Sequence, residues 1–170
     1  VDETFVCSIP SNLPLNAAPP LLCAGITVLR TMKFYGLIHG QRFAVAGLGG
    51  LGHMAVKFGV AWGCHVTVIS RGNSKREEAM KGLGAHAFID STNAEEMKNA
   101  SESFDFMLNC IAADHDIEPY LSTVDVGGKM IMVGLPSDKI KVSAFAFVAR
   151  QKQICGSMIG GIEETQEMLD

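Results

Sequence analysis

The five cysteines, Cys7, Cys23, Cys64, Cys110 and Cys155, include no C-x-x-C pair, and their number is odd. That excludes a disulfide scaffold and fits a reducing compartment, with the cytoplasm as the expected location. Charged residues make up only 19% of the chain, and a net charge of -4 leaves no basic excess. A polybasic surface for nucleic acid is therefore not expected. So low a charge content points to surfaces normally covered by something else. No apolar run reaches the length of a membrane span and no leader pattern is seen, so no membrane partner is expected. H-E-x-x-H, G-x-S-x-G and a Walker lysine are all missing, and with them the chemistries those motifs carry.

What is present is apolar and rich in glycine: 48% hydrophobic residues and 18 glycines in 170 residues. That suffices for one globular domain with a real core. Residues 1–20 hold Pro10, Pro14, Pro19 and Pro20, which prevent a long helix. They read as a linker crossing from elsewhere, with the domain proper at 21–170. The chain opens on Val and its last stretch, EETQEMLD, stops within a helical pattern, so both ends are expected to be cut, with a mature N-terminus explaining the first equally well.

The stretch that organises the rest is Val45–His53, VAGLGGLGH. An apolar run, Arg42–Leu48, leads into Gly47, Gly49 and Gly52 in G-x-G-x-x-G spacing, and a helical pattern opens at Gly50. Strand, tight turn and helix is the setting a dinucleotide fingerprint requires. Gly47 makes the turn, Gly49 lets backbone approach a pyrophosphate, and Gly52 lets helix and strand pack closely. Free N–H groups at the helix start face the phosphates.

Around it, mostly apolar strands are expected at 42–48, 65–70, 86–90, 104–110, 129–135 and 153–159. Helices are expected at 21–36, 50–62, 74–81, 93–99, 114–126 and from 162. The 114–126 helix holds Pro119, which is welcome in a first turn near Ile117, and Gly127-Gly128 is expected to end it. Residues 142–150 form a short apolar segment of undetermined form. Apolar strands alternating with helices predict an α/β fold, a doubly wound six-stranded parallel sheet covered on both faces (a Rossmann fold).

In this fold a carboxylate about 20 residues beyond the glycines binds the adenosine ribose. Here that stretch reads Ile69-Ser70-Arg71-Gly72-Asn73-Ser74-Lys75-Arg76, with no carboxylate. Hydroxyl and cationic groups suit a 2′-phosphate instead, so NADP(H) is expected over NAD(H). Ser70, Arg71 and Lys75 are the candidate trio, and Arg76 is expected to face solvent. Asp90 ends the third strand rather than the second. Cys23 alone cannot hold zinc, since a catalytic site needs about three protein ligands. Cys64, Cys110 and Cys155 read as core fillers, and His39, His65, His86 and His115 are scattered at turns and strand ends.

The stretches APPLLCAGITV, VAGLGGLGHMAVKF, HVTVIS, EEAMKGLGA, GGKMIMVGLP and CGSMIGGIEETQEMLD resemble the nucleotide-binding domain of the zinc-dependent medium-chain alcohol dehydrogenases, in the plant cinnamyl alcohol dehydrogenase branch. The resemblance spans nearly the whole chain. It implies an NADP-linked enzyme passing a hydride between coenzyme and a small-molecule aldehyde or alcohol, with zinc polarising the oxygen. It also implies that a separate catalytic domain carrying the other zinc ligands is absent, so that this chain alone is inactive. Cys23 matches a catalytic-zinc cysteine and Thr27 a threonine near the nicotinamide. Gly47, Gly49, Gly50 and Leu51 match the pyrophosphate turn that Gly52 closes, and Ser70 and Lys75 match 2′-phosphate binders. Arg71 stands where a serine or threonine is common. Val133 and Gly134 match the strand end under the nicotinamide, and Ser157, Met158 and Ile159 the segment closing over it. A homodimer through the last strand is implied as well. Leu29–Met32, Ala146 and Gln151 depart from the family pattern. Two other readings therefore stand beside the first: a reductase of terpenoid aldehydes or of iminium or alkene bonds, with or without zinc, and a non-catalytic nucleotide-binding or assembly module.

Overall fold

A computed structural model describes residues 1–170. Six strands form one sheet: β1 (Arg42–Ala46), β2 (His65–Ser70), β3 (Ala87–Asp90), β4 (Phe104–Asn109), β5 (Val124–Met132) and β6 (Gln153–Gly156). They lie in the order β3-β2-β1-β4-β5-β6, with every pair parallel. The order reverses between β1 and β4, which opens a crevice beyond their carboxyl ends. The helices are α1 (Ile26–Phe34), α2 (Gly50–Ala61), α3 (Ala94–Asn99), α4 (Glu118–Thr123), α5 (Ala144–Val148) and α6 (Ile162–Leu169). Wide π-type turns occupy Leu21–Gly25 and Glu78–Gly82.

The strands are mostly apolar, as both faces of the sheet are covered. Phe43, Ala44, Val45 and Ala46 are all fully buried. Phe43 and Val45 pack with Val28 and Met32 of α1 and with Ala55 and Val56 of α2. Ala44 and Ala46 face the other way, onto a cluster with Met97 of α3 and Leu121 of α4. The Phe43 and Phe106 rings meet edge to face at 5.7 Å, an arrangement that contributes about 0.5–1.5 kcal/mol beyond area burial. Helix α2 reaches β1 closely because position 59 has no side chain. A Cβ there would lie 2.6 Å from the Phe43 ring.

Residues 1–20 hold one short 3-10 helix at Glu3–Phe5 and then a series of turns, closed by the Leu13 N–H on the Pro10 carbonyl and the Ala17 N–H on the Pro14 carbonyl. They are tied to α6, where the Ser8 N–H donates to Gln166 Oε1 and Gln166 Nε2 donates to the Ser8 carbonyl. No helix is long and apolar enough to cross a membrane.

The fourth and fifth strands differ from the sequence expectation. The helix expected over 114–126 is confined to Glu118–Thr123. Before it, the Asp116 carboxylate accepts the Glu118 N–H and His115 Nδ1 bonds the Ala113 carbonyl, forming a turn. After it, Val124 already pairs with Phe104 in the sheet. Gly127-Gly128 therefore does not end a helix but lies inside β5. The register slips between Phe104 and Phe106 while β5 advances from Val124 to Lys129, so the extra residues loop out. Gly127 has φ +70° there, which suits glycine. Strand β5 stops at Met132, short of the expected Leu135, because Val133 and Gly134 both turn their N–H groups onto the Asn109 carbonyl. Strand β6 stops at Gly156 rather than Ile159, and the undetermined 142–150 segment holds helix α5.

Candidate nucleotide site

The glycine stretch forms a tight turn from β1 into α2. Gly47 has φ +88°, and a Cβ there would lie 2.8 Å from Ile111 Cγ1. A Cβ on Gly52 would lie 2.1 Å from the Gly47 carbonyl oxygen, so helix and turn touch backbone to backbone. Nothing stands within 4 Å of the Cβ direction of Gly49 or Gly50. That side of the turn is open to a ligand. Helix α2 starts after Gly49, which is extended and offers no side-chain cap. The first N–H groups of the helix, from Gly50, Leu51 and Gly52, lack intrahelical partners by geometry and make none of the turn and loop bonds of the chain. They add the partial positive charge of a helix N-terminus. The His53 N–H bonds the Gly49 carbonyl, and its ring lies 2.7 Å from that oxygen through Nδ1 and 3.1 Å from Glu78 through Nε2.

The tip of β2 stands beside this turn, with the Gly47 N–H donating to the Ile69 carbonyl at 2.9 Å. Ser70 is half-buried and Arg71 exposed. Lys75 reaches back over the turn, and its ammonium donates to the Leu48 carbonyl at 2.6 Å. Lys75 and the glycines are thus brought together, while Arg71 makes no side-chain bond to either. Asp90 pairs with Ser70 across β2 and β3, but its carboxylate is taken up by the loop. Its Oδ1 accepts the Thr92 N–H, the Thr92 hydroxyl and the Gly72 N–H. The Thr92 bonds, the Gly72 N–H and the Arg76 charge hold its carboxyl below the usual range. Arg76 corrects the sequence reading, which left it facing solvent. Its guanidinium donates to Asn73 Oδ1 and to the Phe88 carbonyl, pairs with Glu96, and stacks 4.9 Å from the Phe88 ring centroid. It braces the loop and is not free for a phosphate.

On the far side of the crevice, Ile111 sits between two glycines. It lies against Gly47, and a Cβ on Gly134 would come within 2.2 Å of the Ile111 carbonyl oxygen. Val133 is buried beside Gly134 at the end of β5. Ser157 keeps one bond to β5, from its N–H to the Met132 carbonyl, while Met158 and Ile159 are exposed. Thr27 is nearly buried and donates its hydroxyl to the Cys23 carbonyl at 2.7 Å. An open groove of about 890 Å³ runs past Arg30, Phe34, Gly134, Leu135 and Met158. Arg30 donates to Ser157 Oγ at its edge.

Cys23 is exposed on the Leu21–Gly25 turn. No three His, Cys, Asp or Glu side chains of this chain come together as a metal site. A single thiol does not meet the need for about three protein ligands, so this chain by itself does not fit a catalytic zinc. Cys64 and Cys110 are buried, Cys155 partly so. Burial pushes the Cys110 thiol up to about 12.

The sequence reading passed over Ile111 and the residue that shapes its loop, Asn109. Its one available signal was a polar residue ending an apolar strand. A sequence model of the family described as zinc-binding dehydrogenase matches residues 50–170. The protein named "Probable mannitol dehydrogenase" from Medicago sativa is 50% identical over all of this chain and 48% of its own length. Cinnamyl alcohol dehydrogenase 2 of Arabidopsis thaliana is 47% identical over the whole chain and 46% of its own length. This chain therefore spans about half the length of the curated relatives it matches. Among solved structures, a cinnamyl alcohol dehydrogenase from Sorghum bicolor superposes on the full chain with a TM-score of 0.98 at 44% identity, over 48% of its own chain. The CAD from Helicobacter pylori complexed with NADP(H) does so with a TM-score of 0.90 at 39% identity, again over 48% of its own chain. With the strand order, the glycine turn and these matches in agreement, the chain belongs to the zinc-binding dehydrogenase family, as a dehydrogenase nucleotide-binding domain.

Proposed function

We propose that residues 21–170 bind NADP(H) across the carboxyl ends of β1, β2, β4 and β5, and that residues 1–20 link them to a catalytic domain. The parent enzyme passes a hydride between that coenzyme and an aldehyde or alcohol of the cinnamyl type. The observation that carries this reading is the Gly47–Gly52 turn. Its outer side is open, the Lys75 ammonium rests on it, and no free carboxylate stands at the tip of β2. The H. pylori relative holding NADP(H) supports the choice of coenzyme.

Gly49 and Gly50 admit the pyrophosphate, and the N–H groups at the start of α2 bond it. Ser70, Arg71 and Lys75 hold the 2′-phosphate by hydroxyl and charge-assisted bonds, with Lys75 giving up the Leu48 carbonyl to do so. Thr27, Val133, Gly134, Ser157, Met158 and Ile159 form one wall of the nicotinamide cleft, while Leu51 belongs with the pyrophosphate turn. NADP(H), when bound, is the source or acceptor of the hydride. Cys23 is assigned as one zinc ligand of the parent, the others lying outside this chain. The exposed edge of β6, bearing half-buried Ile154 and Cys155, is assigned to a homodimer, because an unpaired strand edge needs cover. A cytoplasmic location fits the free thiols.

Titration of the chain with NADPH and with NADH tests the coenzyme. NADPH should bind at least about tenfold more tightly, the value of one charge-assisted bond. NADH binding as tight or tighter would overturn the reading. A second reading, a reductase of terpenoid aldehydes or of iminium or alkene bonds, stands because Arg30, within the Leu29–Met32 stretch that departs from the family pattern, lines the groove beside Ser157. Turnover of the full-length parent on cinnamyl, terpenoid and iminium substrates decides between them.

A further inference from the structure

Asn109 ends β4 fully buried, and its carbonyl oxygen and both side-chain polar atoms are engaged around the crevice. Its carbonyl oxygen accepts the N–H groups of both Val133 and Gly134, each at 3.0 Å. Its side-chain Oδ1 accepts the Ile111 N–H at 3.0 Å. Its Nδ2 stands 2.9 Å from His115 Nε2. The Ile111 N–H requires an acceptor, which fixes the amide with its oxygen toward Ile111 and its NH₂ toward the imidazole. His115 Nδ1 lies 2.8 Å from the Ala113 carbonyl, so that nitrogen carries the proton. Nε2 is then the bare nitrogen that accepts from Asn109. The segment so held is the one wedged between Gly47 and Gly134.

We propose that Asn109 and His115 are positioning residues, a protonation-sensitive clasp that fixes the Ile111 backbone and through it the width of the coenzyme crevice. The proposal rests on the coenzyme reading above. When His115 gains a proton, Nε2 becomes a donor and faces the donor NH₂ of Asn109. If the amide turns over to offer its oxygen, the Ile111 N–H loses its acceptor. Either way one bond of the clasp is lost as pH falls, and the wedge loosens. The charged groups that share an open depression with His115 are Asp114 and Asp116 from its own turn, Glu118 at the start of α4, and Asp138, Lys139 and Lys141 from the loop after β5. The Tyr120 ring meets it edge on at 5.6 Å. Asp114 accepts the Asp138 N–H, Asp116 the Glu118 N–H and Glu118 the Ser143 N–H. Lys152 and Asp125 lie toward the opposite, C-terminal end of α4, where Lys152 bonds the Leu121 carbonyl.

The test follows two signals in the 170-residue chain from about pH 8 to about pH 5.5, the span across which imidazoles as a class change charge. The first is the NMR shift of the Ile111 amide against that of the His115 ring. The second is the dissociation constant of NADP⁺. In the wild type the amide should titrate together with the ring. NADP⁺ binding should weaken on acidification by about 2- to 10-fold more than in His115→Gln, the value of one net hydrogen bond. The 2′-phosphate of NADP⁺ titrates equally against both proteins, so only their difference counts. Asn109→Asp keeps an acceptor for Ile111 and turns a second oxygen toward the imidazole, which favours the protonated ring. Its Ile111 signal should stay in place at low pH. An Ile111 amide that ignores the His115 titration, or an identical pH response in wild type and His115→Gln, overturns the clasp. If NADP⁺ binds none of the proteins, the coenzyme reading falls instead, while the amide signal still judges the clasp.

Discussion

Lys75 shows what a single residue contributes and how much of it the sequence discloses. A cation five residues beyond the tip of β2 was legible from spacing alone as a candidate phosphate ligand. Its placement over the turn, on the Leu48 carbonyl, was not. A charge-assisted bond to a phosphate is worth about 1.5–3 kcal/mol. Lys75→Ala should therefore weaken NADPH binding by about 10- to 100-fold and leave NADH within about 3-fold, as read by fluorescence titration. Arg76, the next residue, carries the same charge yet is bound to Asn73 and the Phe88 carbonyl. Arg76→Ala should lower thermal stability and change both coenzyme affinities alike. Sequence could not separate the two neighbours, because the difference lies in which side of the loop each faces. Asn109 and His115 were illegible for a similar reason. Their meaning comes from a contact across a turn that the sequence read as part of a helix.

Among the elements, the β1–turn–α2 unit was the most legible, because its glycine spacing reports how closely two backbones approach. A methyl group at position 52 would meet the Gly47 carbonyl, part of the main chain that cannot rotate away. Gly52→Ala should thus force the turn open and abolish NADPH binding while the sheet remains folded, as circular dichroism can verify. Gly59→Ala presses instead on the Phe43 ring in the core. Overpacking of that kind costs about 1–3 kcal/mol, so urea unfolding should shift without selective loss of coenzyme. The α4–β5 region was read less well. Pro119 marked the helix start correctly, but Gly127-Gly128 signalled a boundary where the chain loops out within a strand. A glycine pair reports backbone freedom without saying whether it serves a stop or a bulge. Only the pairing of Val124 with Phe104 distinguishes them.

At the scale of the molecule, a parallel sheet covered on both faces followed from the alternation of apolar strands with helices, but the tie that crosses three strands did not. Arg42 at the start of β1 pairs with Asp105 of β4 and with Asp125 of β5, joining the sheet at the end away from the crevice. These residues lie 63 and 83 positions from Arg42, too far apart for any local pattern to report. The bonds from Arg42 hold both carboxyls below their ordinary range. A carboxyl depressed in the folded state stabilises that state above its unfolded pKa, about 3.9, and the contribution is lost as pH falls through the lower folded value. Arg42→Met removes the cause of both shifts. The variant should be less stable than wild type at about pH 7, by a margin that stays nearly constant down to about pH 5. The margin should shrink below about pH 4, where the unfolded carboxyls take up protons. Urea unfolding of both proteins across that range measures it, and a margin unchanged down to about pH 2 would show that Arg42 acts through packing of its stem rather than through its two carboxylates.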